Sequence, residues 1–244
     1  MARRRITWLP NSVNEEGTGH IPLDRVRILE TALWLLDEIG LKELSMRKIA
    51  DKLGVKTASL YYHVKDKEEL MQMLSDRISG EMVWPEISLS WQEQIYQWAG
   101  QFRRVLLSHR DTVELFRQTI AMGYERLTQI EKLFQLLVSA GFSDSHVPWI
   151  ASMLKNYVLG FVAEEDQLQA IAKNHYSSYD EMGNQYDQFY RQLPEERFPN
   201  MIRLASYTTK TNWENEFYFG LSVLIDGFSV KLTEGNEKKS MRPT

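Results

Sequence analysis

Between Leu44 and Leu70 the chain reads LSMRKIADKLGVKTASLYYHVKDKEEL, and few folds accept that spacing. Ser45 is an N-cap for a short helix whose inner face is Ile49, Ala50 and Leu53. Gly54 follows, where the chain must turn and a residue without a Cβ tolerates positive φ. Thr57 is expected to cap a second short helix reaching His63, with Leu60 and Val64 inward at i and i+4. Asp66, with Glu69 three residues on, opens a further helix to about Val83. Helix, tight turn and helix at this spacing is the layout of a helix-turn-helix module. Inward Leu60 and Val64 leave Thr57, Ser59, Tyr61, Tyr62 and His63 on the outer face. Hydroxyls suit base edges and phosphates, and Thr methyl or aromatic carbons suit a thymine methyl. Arg47, Lys48 and Lys67 add cations for the phosphate backbone or a guanine. Taken singly, the tyrosines serve equally well as packing aromatics; the joint spacing points to double-stranded DNA.

Net charge argues against nucleic acid until its distribution is considered. The chain of 244 residues carries −4, but residues 1–67 hold 12 Lys/Arg against 9 Asp/Glu and the rest 17 against 24. Leu44–Lys67 alone holds six basic residues and two acidic ones. A small basic module on an acidic body allows local phosphate contact without broad stickiness. The absence of cysteine excludes disulfides, thiolate metal sites and cysteine nucleophiles, and fits a reducing cytoplasm. No apolar run has the length of a membrane span, and MARRR is followed by no apolar stretch of the signal-peptide kind. The five histidines form no HExxH pattern, and no GxSxG, P-loop or GxGxxG occurs, so an enzyme is not expected. A spatial cluster of His109, His146 and Glu164 around a metal is the one enzymatic alternative that spacing leaves open.

The remainder reads as helices. Asp24 caps one to Ile39, ended by Gly40, and Trp91–Leu107, Thr112–Arg117, Tyr124–Ala140, Ser143–Gln169 and Asn212–Leu232 follow. Residues 172–211, polar and interrupted by Pro194 and Pro199, are expected to hold one short helix and loops. The expected organisation is an all-α fold with a flexible arm at 1–22, a DNA-binding domain at 23–70 with its last helix linking to about 84, a larger helical domain at 85–234 and a disordered tail at 235–244. Arg3, Arg4 and Arg5 of the arm suit a flanking minor groove, although plain disorder is the commoner state of such ends.

LDRVRILETAL, LLDEIGLKELSMRKIADKLGV and SLYYHVKDKEEL resemble the N-terminal three-helix domain of the tetracycline-repressor family. Further on, LLSHRD (106–111), AGFS (140–143), Leu159-Gly160 with Glu164, and FGLSVLIDGFSVKL (219–232) are similar, in order, to the C-terminal domain of its tetracycline-binding members. The resemblance implies a homodimeric repressor that binds a near-palindromic operator and is released by a small molecule. An activator would use the same reader, and a dimer that had lost DNA binding would keep the same body. By position the resemblance assigns DNA contact to Arg47, Thr57, Ser59, Tyr61, Tyr62, His63 and Lys67. It also gives the intersubunit bundle to two helices whose apolar stripes, which taken alone suit the core of one subunit equally well, contain Val147, Ala151, Leu154, Val158, Phe217, Leu221, Leu224, Ile225 and Phe228.

In the effector pocket the resemblance is partial. Trp98 and Phe102 stand where those members use Asn and Phe, and Phe116 stands where they place a metal-binding His. Leu133 replaces a drug-contacting Gln. Thr119 matches a Thr of the metal's water shell; Glu164 matches the Glu near the end of the long helix, although it opens an acidic run, Glu164-Glu165-Asp166, that suits plain solvation; and Lys155 is an unusual cation on an apolar stripe. Trp149 is a further aromatic candidate. Without the His and the Gln, a magnesium–tetracycline chelate is not expected. A larger aromatic or lipophilic effector is, bound with no metal and no cofactor.

Overall fold

The computed structural model describes residues 23–210 and 212–240, with side chains to Thr233. Among them are eleven α-helices and no strand. Arg3, Arg4, Arg5 and the rest of the expected arm lie outside the described residues.

Three short helices and the start of a fourth make the first unit. α1 (Arg25–Ile39) begins where Asp24 accepts the Arg27 N–H. α2 (Met46–Leu53) begins at Ser45, whose hydroxyl accepts from Lys48 N, and ends at Gly54 in the left-handed conformation (φ 69°, ψ 28°). α3 (Thr57–Leu60) is shorter than the sequence implies: Thr57 is its first residue, and Lys56 precedes it with no side-chain cap. The turn continues through His63, because the N–H groups of His63 and Val64 both bond to Leu60 O at 2.9 Å. Leu60 and Val64 are fully buried with Ile49, Ala50 and Leu36. Each contributes about 1.5–3 kcal/mol by leaving water, enough to hold a four-residue helix that could not stand alone.

α4 (Lys67–Ser79) opens on Asp66, whose carboxylate accepts from Glu69 N, while Glu69 accepts from Lys65 N. Its inner face (Leu70, Leu74, Ile78) is wholly buried. At about 1.5 Å per residue it spans roughly 20 Å, from the foot of the α2–α3 unit to the larger domain. That domain comprises α5 (Trp91–Ser108), α6 (Thr112–Gln118), α7 (Tyr124–Ser139), α8 (Val147–His175), α9 (Tyr179–Arg191), α10 (Pro199–Thr208) and α11 (Trp213–Ser240). α8 is central, packing on α5, α6, α7, α9 and α11.

Two stretches differ from the sequence expectation. The stretch from 172 begins with the last turn of α8, which runs to His175 rather than ending at Gln169, and then holds two helices, α9 and α10, packed together. Ser178 caps α9, the i,i+4 pair Asp187–Arg191 ties its last turn, and Pro199 sits where a helix start tolerates it. Polarity there marks an exposed helical hairpin rather than loops. α11 continues to Ser240 instead of ending near Leu232, since Glu237, Lys238 and Lys239 are good helix formers and Gly235 alone does not stop it.

Arg103 of α5 is the buried polar centre of the domain. Its Nε and Nη2 donate to both oxygens of Glu165 at 3.0 Å, and Nη1 donates to Glu214 at 3.1 Å. Its Cζ also lies 4.9 Å from the Phe217 ring centre. Burial pulls the Glu165 carboxyl upward against the guanidinium's opposing pull. The acidic run at 164–166 is therefore not uniformly solvated: Glu165 turns inward and joins α5 to α8.

Candidate functional site

The residues expected to read DNA lie on and beside the α2–α3 unit. Tyr62 projects furthest, at 89% exposed, with Tyr61 at 51%. Thr57, Ser59 and His63 are partly exposed beside them. Arg47 is exposed and lies 3.8 Å from Asp51, a loose pair that leaves it able to turn to a phosphate. Lys48 is held more firmly by Glu43 at 2.8 Å, and that contact keeps the Glu43 carboxyl below its ordinary range. Lys67 is exposed at the start of α4. All eight residues therefore belong to one connected segment, with Leu60 and Val64 anchoring it from behind. Lys52, 3.8 Å over the Trp34 ring, adds a cation to the same unit that sequence reasoning passed over.

A cavity of about 740 Å3 opens in the larger domain among α4, α5, α6, α7 and α8. Trp98, Phe102, Phe116, Thr119, Leu133 and Lys155 line it. The rings form a continuous wall, Trp98 to Phe102 at 5.6 Å and Phe102 to Phe116 at 5.9 Å. Two expected residues stand elsewhere. Trp149 is 65% exposed and lies against the His146 ring, on the side of α8 opposite its buried stripe. Glu164 borders a second cleft with Tyr179, Tyr186 and Trp213. Arg126 and Gln129 line the main cavity and were missed, since a lone cation and an amide on a polar helix give no sequence signal.

The bundle residues also need correction. Val147, Ala151, Leu154, Val158, Phe217, Leu221, Ile225 and Phe228 are buried within a single chain, and Leu224 is half-buried. Those stripes are subunit core, where Phe217 stacks on Tyr157 and meets Phe161 edge-on. The outward faces of the same helices carry Trp149 and Met153 on α8, and Phe219, Val223 and Val230 on α11, each 47% exposed or more.

A polar joint links the two units. His109, at the end of α5, lies 2.9 Å from Asp37 Oδ2 of α1 and 3.1 Å from Glu81 just past α4. These two carboxylates raise its pKa to about 9 against the opposing effect of burial. Beside it, Arg110 donates to the Glu38 carbonyl, and Asp111 Oδ2 accepts the Leu41 N–H at 2.8 Å. Gly40 makes that approach possible: its φ is 80°, and a Cβ there would meet Asp111 Oδ2 at 2.7 Å. His109 and His146 thus lie apart, and no group of His, Asp and Glu able to hold a metal occurs among the described residues.

Comparison with known families agrees with this geometry. Residues 28–74 match the family model described as "Bacterial regulatory proteins, tetR family", and residues 85–232 match "Tetracyclin repressor-like, C-terminal domain". The chain belongs to the tetracycline-repressor (TetR) family. Among its relatives, the class E tetracycline repressor protein of Escherichia coli is 32% identical over 210 residues, covering 85% of this chain and 91% of that protein. The TetR family protein ActR of Streptomyces coelicolor, solved with actinorhodin, is 30% identical with a TM-score of 0.78, covering 88% of this chain and 97% of that one. BioQ bound to its double-stranded DNA operator is 27% identical with a TM-score of 0.60, covering 86% of this chain and 99% of that one. The chain is a TetR-family transcriptional regulator, with a helix-turn-helix DNA-binding unit and a ligand-responsive C-terminal domain. The relatives are regulators rather than enzymes. No helix among the described residues is long and apolar enough to cross a membrane.

Proposed function

We propose that the protein is a repressor that binds its operator as a homodimer and is released by a small aromatic or lipophilic molecule bound without a metal. One observation carries this reading. Ser79 at the end of α4 and Met82 just beyond it line the aromatic cavity, while the other end of α4 starts beside the reading segment. A molecule seated against Phe102 and Phe116 therefore presses on the element that sets the reader's angle. The His109 joint holds the same element from its other side through Glu81. Differential affinity of the ligand for two settings of α4 is what shifts the population.

The outward stripes of α8 and α11 support the dimer. Phe219, Val223, Asp226 and Val230 recur at helical spacing, and Gly160 and Gly227 have open space where a side chain would stand. Such bare positions allow a second copy's helices to approach closely. Two linked readers then make the second half-site contact effectively intramolecular.

Selection of bound genomic fragments by the full chain, followed by mobility shift with an aromatic-compound panel, tests the proposal. Enrichment of near-palindromic fragments, released by a compound that also quenches tryptophan emission in the presence of EDTA, is expected. No enrichment of any fragment, or release that requires added magnesium, overturns it.

A further inference from the structure

The cavity carries charge of one sign. Arg117, Arg126 and Lys155 line it, and no Asp or Glu does. Arg126 is the informative cation. Its guanidinium donates to Thr119 Oγ1 at 2.8 Å and Ser75 Oγ at 3.2 Å, both neutral partners. Its Cζ stands 4.7 Å from the centre of the Phe116 ring, which sets the cation beside the aromatic wall. Among the described residues no carboxylate lies within ion-pairing distance of it. Asp76 is felt electrostatically, but its Oδ1 accepts the Arg126 backbone N–H at 2.9 Å. Burial pushes the guanidinium below the ordinary arginine range, although far from losing its proton. A half-buried cation with neutral partners gains most from an anion that takes its remaining N–H donors as a pair.

A second observation points the same way. The indole Nε1 of Trp98 is the one buried side-chain N or O atom without a hydrogen-bond partner among the described residues. Trp98 is 5% exposed and lines the cavity. An unmet buried donor costs free energy until an acceptor arrives, and a ligand oxygen would supply one.

Building on the effector reading above, we infer that the cavity selects an acidic aromatic compound, its ring system against Phe102 and Phe116. Arg126 reads the negative group, a carboxylate, sulfonate or ionised phenol. Lys155 adds to the attracting field from the α8 wall, and Trp98 Nε1–H donates to a ring oxygen. Neutral molecules of the same shape fill the space and leave the Arg126 cation uncompensated.

Two fluorescent probes test this on the full-length protein. 8-Anilinonaphthalene-1-sulfonate and N-phenyl-1-naphthylamine share a ring skeleton and differ by one sulfonate. The wild type is expected to bind the sulfonate at least tenfold more tightly. Arg126→Gln should weaken sulfonate binding at least fivefold and leave the neutral probe unchanged, which also reports an intact cavity. Lys155→Gln, on an exposed position, should cost two- to threefold and decides the matter if Arg126→Gln does not fold. Equal wild-type affinities, or an unchanged probe ratio in both variants, overturn the anion assignment while leaving the cavity as the effector site. Leu133→Trp sets a bulky indole into the ring-lined part of the cavity and should weaken both probes. If both probes bind it as before, or neither binds the wild type, the effector reading itself falls.

Discussion

His109 makes the joint between the two units a titratable one, and the size of its contribution can be worked out. Its pKa rises from 6.5 to about 9 in the folded chain. At about 1.4 kcal/mol per unit, that difference sets a ceiling near 3.5 kcal/mol. Asp37 and Glu81 are 39% and 29% exposed, so solvent screens both pairs and about 1–2 kcal/mol is a fair expectation. The sign follows from linkage. A folded pKa above the unfolded one gives stability that is complete below pH 6.5 and lost as pH rises through about 9. His109→Gln keeps hydrogen-bonding atoms but removes the charge. Thermal unfolding at fixed protein concentration, from pH 6 to pH 9.5, should show the wild type losing about 2–8 °C more than the variant, at roughly 2–4 °C per kcal/mol for a chain of this size. Parallel pH profiles for the two proteins would refute the claim that His109 holds the joint as a cation.

Tyr62→Ala and His63→Ala should each cost about 1–3 kcal/mol in operator affinity by mobility shift with melting temperature unmoved, and undiminished binding by both would remove the reading face from this surface. Steep weakening of operator binding with added salt is expected as well, a flat dependence being incompatible with phosphate contacts from Arg47 and Lys67. Glu165→Gln leaves Arg103 half-compensated and should destabilise by about 3 kcal/mol in urea unfolding, whereas Arg103→Met with Glu165→Leu should recover most of that; an additive loss in the pair would contradict the assignment. Gly227→Leu should stabilise an isolated helix by up to about 1 kcal/mol yet yield a monomer by light scattering, and a dimer unaffected by it would place the subunit contact elsewhere.

The reading unit was legible because its constraints are local. Ser45, Gly54 and Asp66 punctuate the helices through caps and turn geometry within a few residues of themselves. The error at Thr57, one position off the true cap, is of the size that a helix end normally carries. The stripes of α8 and α11 were legible as buried but not as to what buries them. Helical periodicity records that Leu154 and Phe217 are covered, not whether the same chain or a second copy covers them. The opposite side of each helix, with Met153 and Val223, becomes visible when α5 is seen to occupy the first. Arg103 and Arg126 could not have been singled out, since an arginine inside a polar helix looks the same whether it points to water or to a cavity. The hairpin of α9 and α10 was obscured by its polar composition and by Pro194 and Pro199, although each helix turns a residue inward, Met182 and Ala205.

Gly40 shapes the joint through what it lacks. Most hinges tolerate gradation: a larger or smaller side chain loosens or tightens them. At this corner the fit depends on an atom that is missing, with the handedness of the chain and the nearness of Asp111 both demanding the vacancy. No substitution can therefore tune the corner by degrees. Adaptive adjustment of how readily the two units part must fall instead on neighbours such as Asp37, Glu81 and Arg110, whose reach and charge can be varied in small steps.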